Sequence, residues 1–141
     1  DVSRYLVTVK CHPTVDADLV KSTLGATGKQ ENLRFVDASI GELLVEAQIL
    51  LCTYTFVCYE GLLYGVYPIF VRAENFLNLD KMESLPEIHG VASTPGDLRR
   101  LAECFLAMSD VQRRSWYRKG LIALREALQP IEPGCVDAFV M

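Results

Sequence analysis

The chain has 141 residues, 50% of them hydrophobic, and carries 14 basic against 18 acidic side chains for a net charge of −4. That length suits one domain able to bury about two-thirds of the surface it exposes when unfolded. The acidic balance argues against a general nucleic-acid binder, whose footprint is a basic face.

The first element is a strand, Tyr5 to Lys10, cut off by Cys11-His12-Pro13 and followed at once by a helix that starts near Thr14. A second strand is expected from Leu33 to Val36. Ser39, with Glu42 three residues on, then forms a capping box that opens the next helix. The run from Ile49 to Val71 is apolar enough to be tested as a membrane span. Glu60, Gly61, Gly65 and Pro68 inside it divide it instead into strand Ile49–Tyr54, a helix and strand Tyr67–Val71.

Residues 72 to 87 read as an irregular loop over the carboxyl ends of the strands, because Phe76, Leu77 and Leu79 are interrupted by Asn75, Asn78 and Asp80. The competing reading is a two-turn surface helix. A strand from His89 to Ser93 follows, with His89 merely opening it. Thr94-Pro95 with Asp97, and Ser109 with Gln112, then start two helices. Leu98, Leu101, Ala102, Phe105 and Leu106 form the buried face of the first, and Tyr117, Leu121, Leu124 and Leu128 that of the second. Gln129-Pro130 stops the last helix, and residues 131–141 read as a tail packed on the domain.

The near-continuous apolar strands and the order β-α-β-α-β-α-β-loop-β-α-α predict an α/β/α domain. Its core would be a five-stranded parallel sheet, order 2-1-3-4-5, with helices on both faces and two helices at the C-terminus. In that order the chain leaves strands 1 and 3 in opposite directions, opening a crevice for ligand at their carboxyl ends.

Two segments should face it, Lys10 to Thr14 and Thr53 to Gly61. Thr14 and Thr55 would stand at helix N-termini, where free N–H groups favour phosphate. His12 can donate a hydrogen bond, and Glu60 is an acceptor suited to ribose hydroxyls. Together these groups suggest a nucleotide. The bland alternatives are a turn histidine, capping threonines and a solvated carboxylate. The lone Cys11-His12 pair has no second pair at ligand spacing, so no metal is expected.

The succession of K-x-H-P at Lys10–Pro13, "LRFVD", "GELLVEAQ", "ILLCTYT" and "YEGLLYGVYPIFV" resembles the donor-binding half of GT-B type glycosyltransferases. The nearest branch is the bacterial one with an HP and a Ser/Thr motif, which includes sialyl-, Kdo- and glycerophosphotransferases. The resemblance covers roughly residues 5–128. It implies a Rossmann-like domain in which His12, beside Lys10, contacts donor phosphate. Thr53 and Thr55 hold the place of the Ser/Thr pair, and Glu60 holds the ribose. Thr-Tyr-Thr departs from the family's adjacent pair. The family also carries a further strand between the HP strand and the "ILLCTYT" strand.

What the resemblance implies is a metal-independent transferase acting in surface-glycan synthesis. It uses a nucleotide sugar as substrate and no cofactor, and acts on a glycan or lipid-linked acceptor held by a preceding half that also carries the catalytic base. No catalytic residue is therefore expected in these 141 residues. The alternative is a Rossmann-like interaction module with a disused nucleotide site. Asp1 in place of Met points to a piece of a longer protein or a processed terminus. The five cysteines, three of them in apolar runs, read as buried free thiols of a reducing cytosol. The basic residues of the last two helices, Arg99, Arg100, Arg113, Arg114, Arg118, Lys119 and Arg125, read as a solvated face. Peripheral contact with anionic lipid at the inner face of the membrane is their functional alternative.

Overall fold

The computed structural model describes residues 5–25, 32–72 and 80–128. The chain is α/β and its elements follow the expected succession. They are β1 (Val7–Val9), α1 (Ala17–Gly25), β2 (Leu33–Phe35), α2 (Ile40–Glu46), β3 (Ile49–Cys52), α3 (Val57–Leu63), β4 (Tyr67–Val71), β5 (Gly90–Ala92), α4 (Pro95–Leu106) and α5 (Asp110–Ala127).

Every strand pair is parallel, but the single five-stranded sheet is not what forms. β1 pairs only with β2, and β3-β4-β5 make a separate three-stranded sheet among the described residues. The chain accordingly divides into two compact units, residues 1–43 and 44–141. The expected order 2-1-3-4-5 fails at the β1–β3 junction for a physical reason. An apolar run reports which faces of a strand are covered and carries no information on which neighbour it bonds.

In the first unit Val7, Thr8 and Val9 stand opposite Leu33, Arg34 and Phe35. Helix α1 starts later than expected. Asp16, not Thr14, is its cap, with Oδ1 accepting from the N–H groups of Asp18 (2.9 Å) and Leu19 (3.2 Å).

In the second unit β4 is the central strand and its three middle residues are buried. A proline there is unusual, yet the ladder accommodates it. The Tyr67 N–H donates to the Gln48 carbonyl on the β3 side, so the N–H that Pro68 lacks would face β5, whose pairing begins only at Ile69. Gly90 opens β5 where α4 comes closest. A Cβ there would stand 3.0 Å from both Leu101 Cδ1 and the Tyr67 hydroxyl.

Both expected capping boxes form, and the expected cap at Thr94 closes a third with Asp97. Glu42 Oε2 accepts from Ser39 N–H at 2.9 Å, and the reciprocal bonds of Thr94–Asp97 and Ser109–Gln112 are both present. The core is one cluster of Cys58 and Leu62 from α3, Met82 and Ile88 from the segment before β5, Phe105 from α4, and Trp116 and Leu124 from α5. At its centre Tyr67 stacks on Phe105 with ring centroids 4.6 Å apart, and Trp116 meets both rings edge-on.

The buried stripe of α5 is Trp116, Gly120 and Leu124, so the expected face is turned by about one residue, and Leu121 and Leu128 are exposed. The indole accounts for the turn, because it is the largest apolar group on the helix and its N–H reaches the buried Ile88 carbonyl at 3.2 Å. Among the described residues no helix is long and apolar enough to cross a membrane. Residues 49–71 divide as expected into β3, α3 and β4. The expected tail, residues 131–141, and Phe76, Leu77 and Leu79 of the expected loop lie outside the described residues.

Candidate functional site

In the first unit the chain leaves β1 into the turn that carries His12. The Thr14 N–H donates to His12 Nδ1 at 3.3 Å, and the Thr14 hydroxyl lies 2.7 Å from the same nitrogen. A nitrogen that accepts from a backbone N–H carries no proton, so the ring proton sits on Nε2. The imidazole is exposed. Thr14 therefore orients the histidine and does not stand at a helix N-terminus. Lys10 is 3.7 Å from the exposed Asp37 carboxylate, which follows β2.

In the second unit the carboxyl ends of β3 and β4 carry a narrow cleft lined by Thr53, Thr55, Cys58, Asp80, Lys81 and His89, among others. Its free volume is about 10 Å³, room for about one water molecule. Thr55 Oγ1 accepts from the Val57 N–H at 3.1 Å, so it does tie down the start of α3, although the helix proper begins two residues later. Glu60 is exposed and is not among the residues lining the cleft. It lies two positions beyond Cys58, about 200° around the helix, so the face that buries Cys58 cannot also present Glu60. Thr53 and Thr55 thus meet in one cleft while Glu60 points elsewhere, and His12, Lys10 and Thr14 belong to the other unit.

The floor of the cleft holds a pair that no motif announced. His89 and Asp80 have side chains only 2% and 3% exposed, with Nε2 2.8 Å from Oδ2. The other ring nitrogen, Nδ1, lies 2.9 Å from the Leu85 carbonyl and donates to it, while the Met82 N–H donates to Asp80 Oδ1 at 2.8 Å. His89 therefore does far more than open a strand. It ties residues 80–89, a succession of turns, into the core beside the buried Met82 and Ile88.

Cysteine, histidine and aspartate side by side invite comparison with a thiol-protease centre, and the geometry rejects it. Both His89 nitrogens are already engaged, so neither is left to take a thiol proton. Burial, with lesser contributions from Cys58 and Asp80, pushes the Cys52 thiol up to about 12, and burial raises Cys58 as well. Neither is a thiolate near neutrality. The four described cysteines are free, but only Cys58 among them is fully buried. Cys52 and Cys11 are half-buried, Cys104 is exposed, and Cys135 lies outside the described residues.

Compared with family models, curated proteins and solved structures, the chain matches none. The residues that sequence reasoning passed over are Asp80, Lys81 and His89. The available signal was an aspartate and a histidine at the two ends of a short apolar-polar segment, a spacing too common to stand out.

Proposed function

We propose that this chain is the donor-nucleotide-binding, Rossmann-like half of a metal-independent GT-B type glycosyltransferase that builds surface glycan. The observation that carries the reading is the pair of threonine side chains, Thr53 and Thr55, lining one cleft at the carboxyl end of a parallel sheet, where open α/β sheets bind ligands. The exposed imidazole of His12, on the turn after β1 and held by Thr14, is in keeping with it. In this reading Thr53 and Thr55 serve the donor phosphate in the cleft, while a phosphate role for His12, Lys10 and Thr14 and a ribose role for Glu60 rest on the resemblance alone.

Transfer joins the anomeric carbon of the sugar to an acceptor oxygen and breaks its bond to the phosphate oxygen, which keeps the electron pair. The acceptor proton goes to a base on an acceptor-binding half. The nucleotide sugar is a substrate, no cofactor takes part, and the acceptor is a glycan or lipid-linked chain at the cytoplasmic face of a membrane.

A second reading rests on the volume of the cleft. Space for about one water suits a Rossmann-like interaction module whose nucleotide site has closed. Titration with CMP, CDP, UDP and GDP by calorimetry separates the two. Binding of one of these nucleotides is expected, and no binding by any of them leaves the interaction module. His12→Ala should weaken a nucleoside diphosphate by about 1–3 kcal/mol while sparing the nucleoside. Glu60→Gln should weaken both alike. Identical ligand profiles for the two variants overturn the assignment of phosphate and ribose.

A further inference from the structure

The stretch Thr53-Tyr54-Thr55-Phe56 sorts its side chains two ways. Thr53 and Thr55 line the cleft, whereas Tyr54 and Phe56 are 58% and 64% exposed and hold the Lys81 ammonium, 4.7 and 5.2 Å from their ring centroids. Lys81 lines the same cleft and makes no ion pair among the described residues. Its backbone is fixed on both sides. The Tyr59 hydroxyl donates to its carbonyl, and the preceding Asp80 is held by the buried His89 and by the N–H of the following Met82.

We propose that Lys81 is the cation that receives the phosphate of a nucleoside phosphate at the Thr53–Thr55 cleft, kept there by the rings of Tyr54 and Phe56. The inference rests on the nucleotide-binding reading and deepens it. A cation over exposed aromatic rings is held weakly, and an anion offering charge-assisted hydrogen bonds draws it off the rings. The arrangement also accounts for the tyrosine interposed between the two threonines. Thr53 and Thr55 turn to the cleft from the bend that follows β3, and the side chain between them carries the lysine. In a metal-independent site such a point charge takes over the neutralisation that a divalent ion performs elsewhere.

The test titrates the 141-residue chain and its Lys81→Met and Lys81→Arg variants with CDP, cytidine and inorganic pyrophosphate by calorimetry, with far-UV circular dichroism as the folding control. Lys81→Met is expected to lose about tenfold or more in affinity for CDP and pyrophosphate, and Lys81→Arg to stay within about threefold of the parent. CDP bound equally by the parent and by Lys81→Met sinks the role of Lys81 and leaves nucleotide binding standing. Pyrophosphate bound in a Lys81-dependent manner, with no nucleotide bound, keeps the anion site and removes the transferase reading. No binding of either probe removes both. Should Lys81→Met lose its dichroism, the ε-methylene resonance of Lys81 in the parent decides. It is expected to shift on pyrophosphate addition, and an unmoved resonance overturns the proposal.

Discussion

Replacing His89 by alanine should be the most damaging single change in the second unit. The ring is buried, and its loss removes two hydrogen bonds at once, leaving the Leu85 carbonyl without its donor and the Asp80 carboxylate without its imidazole in a nearly dry site. Breaking one side of a buried pair costs about 3–5 kcal/mol, since the stranded charge keeps its desolvation penalty. With a urea slope of about 2 kcal/mol/M for a chain of this size, the unfolding midpoint should fall by about 2 M. Asp80→Ala and the double variant complete a cycle, in which the double variant should be less destabilised than the sum of the singles by about 1 kcal/mol or more. Midpoints that fall by less than about 0.5 M, or singles that simply add, would refute the reasoning that the two side chains act as one unit.

Gly65 has φ of +73°, and a Cβ there would meet the Tyr117 ring at an ordinary contact distance of 3.8 Å, so Gly65→Ala should cost about 1 kcal/mol of backbone strain with no steric clash, read from urea midpoints. The Thr94 hydroxyl, and then backbone N–H groups and Arg100, hold the Asp97 carboxyl below its ordinary range. Its contribution is complete above the ordinary carboxylate value and lost as pH falls through the lowered one. Thr94→Ala should therefore flatten the acid limb of the stability curve, followed by thermal melts in steps below pH 5. Brief alkylation near pH 8 should modify the exposed Cys104 and leave Cys52 and Cys58 untouched until the chain unfolds, which peptide mass mapping reads out. Gly90→Ala should cost about 1–3 kcal/mol, because the new methyl meets Leu101 and Tyr67, and a melt unchanged from the parent would count against that packing.

What the sequence shows plainly is what short-range chemistry decides. A serine or threonine three residues before an acid or glutamine closes its own hydrogen bonds, so the starts of α2, α4 and α5 were legible at Ser39, Thr94 and Ser109. The extent of β4 was also legible, from an apolar run bounded by Gly65 and Arg72. The start of α1 was misplaced at Thr14, although Asp16 two residues on is the better acceptor and takes the cap. Strand neighbours are another matter. Val7 and Ile49 look alike as strand residues, and only the pairing of distant segments decides that one meets Leu33 and the other Tyr67. The Asp80–His89 pair was hidden for the same reason, because the two residues stand nine positions apart and only the folding of the turns between them brings imidazole and carboxylate together.

The packing around Trp116 gives this protein a built-in optical gauge. It is the chain's single tryptophan, and its emission senses Tyr67, Phe105 and, through its N–H, the segment ending at Ile88. It therefore reports on the core of the second unit, whereas the ellipticity also includes β1, α1 and β2 of the first. Melting curves followed by the two signals need not coincide. The gap between them would measure how far the unit carrying His12 lets go before, or holds on after, the unit carrying the cleft.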